Sequence, residues 1–380
     1  MHRLFRDRAG DEAVDLSCAK QAHCCVKIFY RRLAVFCGYF SEYKTTAIRV
    51  CHIHELKRQA KISSACRLIE HVPVAYYNIP DIPAVLQAGA GLKDSRNVRY
   101  VVIGDRNVFD KAAGRRNFRL PFQFVDMANA DRRRFVFGKI SAKNGKASIE
   151  YLDAAMGLLG AGEIDCLVTG PISKEAVHKA GYPYSGHTEY FAARAHRPDV
   201  VMMLVNDCLK FSLVTRHVPL AAVSRKLNSR NICSTLRTTH DALRTLFGIR
   251  KPKIVVLGIN PHGSDNGVIG NEENTVIRPA IRSCRFPGVS GPFGADVAIA
   301  KAAAGMYDCV LAMYHDQAMI PLKLTGDRTG VNLTLGLPFV RTSPLHGTGF
   351  DIAGKHKADP ASLRAAVNLA LRCVQNQRKA

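Results

Sequence analysis

The chain has 380 residues, 47% of them apolar and 22% charged, with a formal net charge of +23 and twelve cysteines. That length carries one large or two medium domains with real cores, and the composition is that of a soluble globular protein. No stretch approaches the roughly 20 consecutive apolar residues of a membrane span, and no C-x-x-C pair supports a zinc ribbon.

The N-terminal apolar run "LAVFCGYF" (33–40) is short, follows Arg31 and Arg32, and lacks a small-residue cleavage pattern. It does not read as a secretory signal, so the default location is cytoplasmic. Six cysteines fall within the first 66 residues. Without a secretion signal a disulfide framework is not expected, and the cysteines read as free thiols. Residues 1–85 are basic and weakly periodic, and "HVPVAYYNIPDIPAVL" (71–86) carries several breakers, so this segment receives no fold.

From about residue 97 the pattern changes. "VRYVVIGD" (98–105), "IDCLVTGP" (164–171), "VVMMLVN" (200–206), "KIVVLGINP" (253–261) and "DCVLAMYH" (308–315) read as buried strands. Between them lie amphipathic stretches, "SIEYLDAAMGLLGAG" (148–162), "DVAIAKAAAGM" (296–306) and "ASLRAAVNLALRCV" (361–374). Strands alternating with helices predict an α/β protein with a largely parallel sheet. In such sheets ligands collect at the carboxyl ends of strands.

The net charge raises the question of nucleic acid. The basic residues are scattered, however, with only short clusters such as Arg132-Arg133-Arg134, and no nucleic-acid module is evident. A positive field suits a small phosphorylated or carboxylated substrate equally well.

Three histidines stand just beyond expected strands: His217 in "LVTRHVPL", His262 in "GINPHGSDNG" and His315 in "AMYHDQ". Any one of them, taken alone, is a hydrogen-bonded loop residue. Three at equivalent positions on one sheet edge would make a divalent-metal site with open positions. Asp316, next to His315, is the natural partner to orient a ligand imidazole.

Three further segments suit anions. In "YPYSGHTEYFA" (182–192), His187 and Thr188 precede a helical run whose N-terminal N–H groups favour phosphate or carboxylate; Ser185 or Thr188 as an ordinary cap explains the same residues. "VTGPISKEA" (168–176) puts Lys174 in the helix after a strand. In "LKLTGDRTGVNLTLGLPFVRTSPLHGTGFDIAG" (322–354), Lys323, Asn332 and Arg341 are spread through a Gly- and Thr-dense segment that reads as a ligand loop. Arg341 either clamps an anion in bidentate fashion or forms a surface ion pair, for which Asp351 is the candidate partner. No G-x-G-x-x-G follows a strand, so no cofactor-binding residues are assigned.

Together "VTGPISKEA", "SGHTE", "NPHGSDNGVIGNEE", "AMYHDQ", "GVNLTLGLPFVRTS" and "HGTGFDIAGK" closely resemble the 4-hydroxythreonine-4-phosphate dehydrogenase family of vitamin B6 biosynthesis, from about residue 97 to the C-terminus. The resemblance implies a two-domain fold over residues 86–380, like that of isocitrate and isopropylmalate dehydrogenases. It implies a homodimer with its active site at the subunit interface. His217, His262 and His315 would hold a divalent metal (Zn, Mg or Co), and His187, Thr188, Lys323, Asn332 and Arg341 would contact substrate. Lys323 would also serve in proton transfer, with Asp316 in support. The reaction implied is NAD- or NADP-linked oxidation of 4-phosphohydroxythreonine to a β-keto acid that loses carbon dioxide.

The family's early loop, Gly-Asp-Pro-Ala-Gly-Ile-Gly-Pro-Glu, is not found; "NIPDIPAVLQAGAGLKD" (78–94) stands roughly in its place, and the first strand of the sheet is not identified. Three alternatives therefore stay open. One is a paralogue oxidising a phosphorylated sugar acid such as threonate or erythronate phosphate. A second is a phosphate acyltransferase, against which the three histidines argue. The third is an inactive member or nucleic-acid binder.

Overall fold

Runs of β-branched and apolar residues become strands that pair mostly in parallel. The computed structural model describes residues 66–71, 98–113, 122–129, 135–326, 329–353, 355 and 357–380. The strands are β1 (Cys66–His71), β2 (Val98–Gly104), β3 (Phe122–Asp126), β4 (Cys166–Thr169), β5 (Val201–Val205), β6 (Lys210–Leu213), β7 (Ile254–Leu257), β8 (Val289–Phe293), β9 (Cys309–Ala312), β10 (Val331–Leu335) and β11 (Val340–Pro344). The helices are α1 (Arg106–Ala113), α2 (Ala142–Gly160), α3 (Lys174–Lys179), α4 (His187–Arg194), α5 (Leu220–Lys226), α6 (Ser229–Thr245), α7 (Arg278–Cys284), α8 (Ala295–Ala303), α9 (His315–Gly326) and α10 (Ala361–Lys379).

All eleven strands join one sheet in the order β3-β2-β1-β4-β11-β10-β5-β6-β9-β7-β8. Seven of its ten pairings are parallel. The three antiparallel ones, β11–β10, β10–β5 and β5–β6, lie together in the middle. They divide the sheet into two parallel wings that run in opposite directions. The expected α/β class with a largely parallel sheet is what forms, and residues 62–380 constitute one compact unit. Among the described residues no helix is long and apolar enough to cross a membrane.

The core follows from period-two alternation on strands buried on both faces. In β9, Cys309 and Leu311 join one apolar cluster while Val310 and Ala312 join the other. On the first face α6 and α10 pack down through Ile232, Leu236 and Leu243, and through Leu363, Val367 and Val374. The buried positions of α10 recur at helical spacing, and its full burial of Leu363, Val367 and Leu369 stabilises by about 1.5–3 kcal/mol per side chain. On the second face α8 and α9 contribute Ala298, Ala302, Ala318 and Leu322.

Three expectations change. Residues 66–71 form a strand between β2 and β4, so the position of a first strand is filled; the segment after it, where the glycine-rich loop was sought, lies outside the described residues. The Gly- and Thr-dense segment is no loop: β10 and β11 form a central hairpin that turns at Gly336, whose φ of 87° is open to glycine. The cysteines are not all free, because α6 and α7 pack side by side and bring Cys233 and Cys284 to a Cα separation of 5.6 Å in a disulfide. Cys208, Cys309 and Cys373 are free thiols.

Gly145 shows how closely α2 meets α3. A Cβ there would lie 1.9 Å from the carbonyl oxygen of Ala176. Alanine in place of glycine gains about 1 kcal/mol of helix propensity, but backbone atoms cannot rotate away, and overpacking costs about 1–3 kcal/mol or more. Gly145→Ala is therefore expected to lower the urea midpoint. A neutral or raised midpoint would refute the packing argument.

Candidate functional site

Strands β6, β9 and β7 lie side by side and parallel, so the loops that follow them leave by the same edge. His217 follows β6, His315 follows β9 and opens α9, and His262 follows β7. The rings of His217 and His315 have centroids 5.7 Å apart. Nδ1 of His315 is 2.7 Å from Oδ1 of Asp316, which holds that ring and leaves Nε2 for another partner. Partial burial lowers the pKa of His217, and the charges of Lys174 and His315 push it the same way, with Glu189 opposing. The imidazole is thereby kept neutral, the form that binds a cation.

His217 and His262 both sit in the left-handed region, at φ 48° and 54°. His262 begins a run of five such residues, continued by Gly263, Ser264, Asp265 and Asn266. Each residue with a Cβ costs roughly 1–2 kcal/mol in that conformation, least for Asn and Asp. Strain of this size persists only where the surroundings over-determine the backbone.

What holds the turn is found next to it. Glu273, on the π turn Glu273–Ile277 that runs into α7, is fully buried. Its Oε1 accepts from the backbone N–H groups of Ile259 (2.7 Å) and Asn260 (2.8 Å), and its Oε2 accepts from Nδ2 of Asn260 (2.9 Å). Glu272 accepts from the same Nδ2 (2.8 Å) and from the Ser224 hydroxyl of α5 (2.7 Å). The Asn260 amide, followed by the Ser224 hydroxyl, holds the Glu272 carboxyl down at about 2. Gln317 donates to the carbonyl of Gly258 (2.7 Å) and accepts from the N–H of Met313 (2.8 Å).

The donor set suits a divalent cation in part. Two imidazoles bound at about 2.0–2.1 Å to one tetrahedral ion have centroids about 5–6 Å apart, which matches the His217–His315 pair. His262 lies on the adjoining loop, exposed. Among the described residues no three His, Cys, Asp or Glu side chains converge as a complete ligand set.

The anion-seeking residues lie on the central hairpin and α4. Arg341 of β11 is buried, 2% exposed, so it is not the surface partner of Asp351. Its guanidinium donates to the hydroxyls of Thr169 (2.6 and 3.2 Å) and Thr334 (3.1 Å) and lies over the Phe191 ring. Among the described residues no carboxylate lies within ion-pair distance of it, and burial presses its pKa down to about 9 against the pull of Glu189. Asn332 of β10 places Nδ2 3.4 Å from the Ser343 hydroxyl, while its Oδ1 is buried with no hydrogen-bond partner among the described residues. His187 and Thr188 are buried in the first turn of α4, His187 stacked on Phe191. The cap of α4 is Gly186, which makes no side-chain cap bond, so neither Ser185 nor Thr188 caps it. Lys323 is exposed on α9. The charge of Glu189 acts on both His217 and Arg341.

Sequence reasoning had missed Glu272, Glu273 and Thr169. The two carboxylates stand in "GNEEN" with little local to mark them, since most of their partners, two backbone N–H groups, the Asn260 amide and the Ser224 hydroxyl, lie over ten residues away.

Residues 96–370 match the family model described as pyridoxal phosphate biosynthetic protein PdxA. A 4-hydroxythreonine-4-phosphate dehydrogenase of Sulfurihydrogenibium sp. is 41% identical over 289 residues, 73% of this chain and 89% of that one. The crystal structure of 4-hydroxythreonine-4-phosphate dehydrogenase from Klebsiella pneumoniae superposes with a TM-score of 0.72 at 32% identity, covering 83% of this chain and all of that one. A terephthalate 1,2-cis-dihydrodiol dehydrogenase from Burkholderia xenovorans gives 0.57 at 30% identity, covering 81% of this chain and 98% of that one.

Two outcomes test this geometry. With its pKa lowered, His217 stays neutral below the ordinary histidine value of about 6.5. The unfolded chain then takes up the proton first, so the stability this group contributes is complete above that value and is lost as the pH falls through the folded pKa. Lys174→Met should raise the His217 titration followed by NMR; an unmoved midpoint would remove Lys174 from the site. Arg341→Met should leave the melting temperature of the ligand-free protein unchanged or higher, because it removes a buried charge without a carboxylate partner, and should abolish any rise produced by phosphate. A variant that still responds to phosphate would disprove the role of Arg341 in anion binding.

Proposed function

Because the chain belongs to the pyridoxal phosphate biosynthetic protein PdxA family, we propose that it oxidises 4-phosphohydroxythreonine with NAD or NADP, giving a β-keto acid that decarboxylates to 3-amino-2-oxopropyl phosphate. The observation that carries this reading is the buried Arg341, held by hydroxyls and with no carboxylate partner among the described residues, in a chain that also pairs the rings of His217 and His315. That arrangement suits a substrate with anionic groups at one end and an oxidisable hydroxyl at the other.

In this reading His217 and His315, with His262 as third ligand, hold a divalent cation (Zn, Mg or Co). Such an ion lowers the pKa of a bound hydroxyl and stabilises negative charge on the oxygen after oxidation. The chain's own groups do the rest. Arg341 and Asn332 bind an anionic end of the substrate, the latter through its buried amide oxygen to an N–H or O–H donor. His187 and Thr188, in the first turn of α4, contact the substrate where helix N–H groups favour negative charge. Asp316 fixes the tautomer and orientation of His315. Lys323 binds the substrate or moves its proton.

The proposal includes a homodimer with the site at its interface, a cytoplasmic location and no nucleic-acid partner. A dimer is supported by Ile320 and Leu324 on α9, 60% and 83% exposed, one turn apart on the helix that His315 opens. We read the two wings of the sheet as the two α/β domains. The C-terminal part joins the N-terminal wing through β11 against β4.

The fold also serves a dihydrodiol dehydrogenase at 30% identity, so the substrate requires its own test. Purified protein is expected to reduce NAD or NADP with 4-phosphohydroxythreonine only when divalent metal is present. His315→Ala should lose about 100-fold or more in kcat/KM, and Asp316→Asn about 10-fold. Turnover of threonate or erythronate 4-phosphate instead would transfer the chain to the sugar-acid paralogues. No turnover in a folded, metal-binding sample would overturn the assignment.

A further inference from the structure

The bond between Cys233 of α6 and Cys284, the last residue of α7, has no part in the proposed reaction. Both cysteines are only partly buried, at the margin of the apolar core, and the contact of Cys233 Sγ with the Ser283 hydroxyl, 3.3 Å, is exposed. The surroundings are cationic. On α6, Arg230 and Arg237 stand three residues before and four after Cys233, one turn away on the same face. Arg282 and Arg285 flank Cys284 in the chain. All four arginines are exposed, and none is in an ion pair among the described residues. α7 has no acidic residue, and the one on α6, Asp241, stands two turns beyond Cys233.

We propose that Cys233 and Cys284 form a reversible thiol–disulfide exchange site whose partner is a small anionic peptide thiol, and that the state of this pair sets how firmly the turn after β7 is held. The inference is independent of the metal and substrate readings above.

Each redox state has its bonding ready. In the dithiol, the Sγ–H of Cys233 has the Ala280 carbonyl at 3.3 Å to receive it, a bond that a disulfide sulfur, having no proton, does not make. As a leaving thiolate, Cys233 has the Ser283 hydroxyl as donor and two guanidiniums one turn away, and both stabilise the negative sulfur. The exchange balances in two steps. A thiolate RS⁻ attacks Cys284 Sγ, the S–S bond breaks, and Cys233 leaves as a thiolate that takes up a proton. A second RS⁻ then attacks the RS sulfur of the mixed disulfide, giving RS–SR and the Cys284 thiolate, which is protonated in turn. The pair gains two electrons and two protons, two RSH become RS–SR, and RS–SR reverses each step. Four unpaired guanidiniums draw an anionic RSH more strongly than a neutral one.

Neither state is required for packing, because Ile277 and Ala280 bury fully under α7 and Ile232 and Leu236 under α6. The link to the turn runs through the chain. α7 follows without a break from Glu273–Ile277, and Glu273 holds the backbone N–H groups of Ile259 and Asn260 just after β7. The disulfide clamps the far end of that stretch to α6. Cys309 and Cys373 make the contrast: both are buried, their thiols are pushed up to about 12 by that burial, and they stay inert.

The test equilibrates the full-length protein in mixtures of reduced and oxidised glutathione, traps free thiols by alkylation and locates them by peptide mass spectrometry. The 233–284 pair is expected to pass from disulfide to dithiol as the proportion of reduced glutathione rises, in protein that stays folded. Arg230→Ala combined with Arg237→Ala should slow reduction by glutathione severalfold, and reduction by uncharged dithiothreitol less. In the dithiol, and in Cys284→Ser, amide hydrogen exchange at Ile259 and Asn260 should quicken by about tenfold. A pair that stays oxidised in excess reduced glutathione is a permanent cross-link, and one that oxidised glutathione never closes is two ordinary thiols; either result overturns the proposal. Equal glutathione rates in wild type and the arginine variant would remove the anionic partner. Unchanged exchange at Ile259 and Asn260 would remove the link to the turn. None of these measurements uses metal or substrate, so their failure is distinct from failure of the proposed reaction.

Discussion

Backbone hydrogen bonds that set Phe211 and Val255 on either side of Val310 fix β6, β9 and β7 in parallel register. Everything at the site follows from that pairing. Parallel strands deliver their carboxyl ends to one edge, and both faces of these strands are buried, so the register cannot slip without turning apolar side chains outward. The loops beyond the strands inherit this placement but not its rigidity. His217 and His262 adopt left-handed backbone that L-residues avoid, and the sheet alone does not enforce it. The carboxylates at 272 and 273 supply the missing constraint. They in turn are anchored through α7, whose last residue, Cys284, is bonded to Cys233 of α6. Rigidity passes from the core helix α6 to the turn that carries His262 by covalent and hydrogen bonds alone.

Two buried charges make the division of labour visible. Among the described residues no cation pairs with the Glu273 carboxylate, but three donors from one short segment satisfy it. A charge so satisfied serves structure. Arg341 has the opposite arrangement, since hydroxyls are its hydrogen-bond partners and burial lowers its pKa. A guanidinium held this way gains most from an anion that arrives with a ligand. Packing over Phe191 and bonding to Thr169 and Thr334 keep it extended and ready for one.

The strands most legible in the sequence were those with continuous apolar runs, such as β2, β7 and β9, because burial on both faces removes polar alternation. α8 and α10 were legible for the corresponding reason, apolar spacing at helical period. The hairpin β10–β11 was not, since its Thr and Gly content mimics a ligand loop, and its strand character comes from neighbours distant in sequence. The histidines could be placed at one edge by their positions after strands. Their support could not: Glu273 acts on backbone N–H groups, which every residue but proline has, and the Cys233–Cys284 pairing joins residues at a sequence separation of 51. Sequence shows side-chain chemistry at a position, and long-range satisfaction of backbone groups is invisible to it.

The same asymmetry bears on the missing glycine-rich loop. A site assembled from three loops on one parallel wing draws its geometry from β6, β9, β7 and the bonds among residues 258–260, 272–273 and 313–317, all within the described chain. None of those contacts involves the segment before β2. No described segment carries a dinucleotide fingerprint, so these contacts say nothing of a nucleotide site. The placement of the three histidines and of Arg341 is accounted for by contacts among described residues.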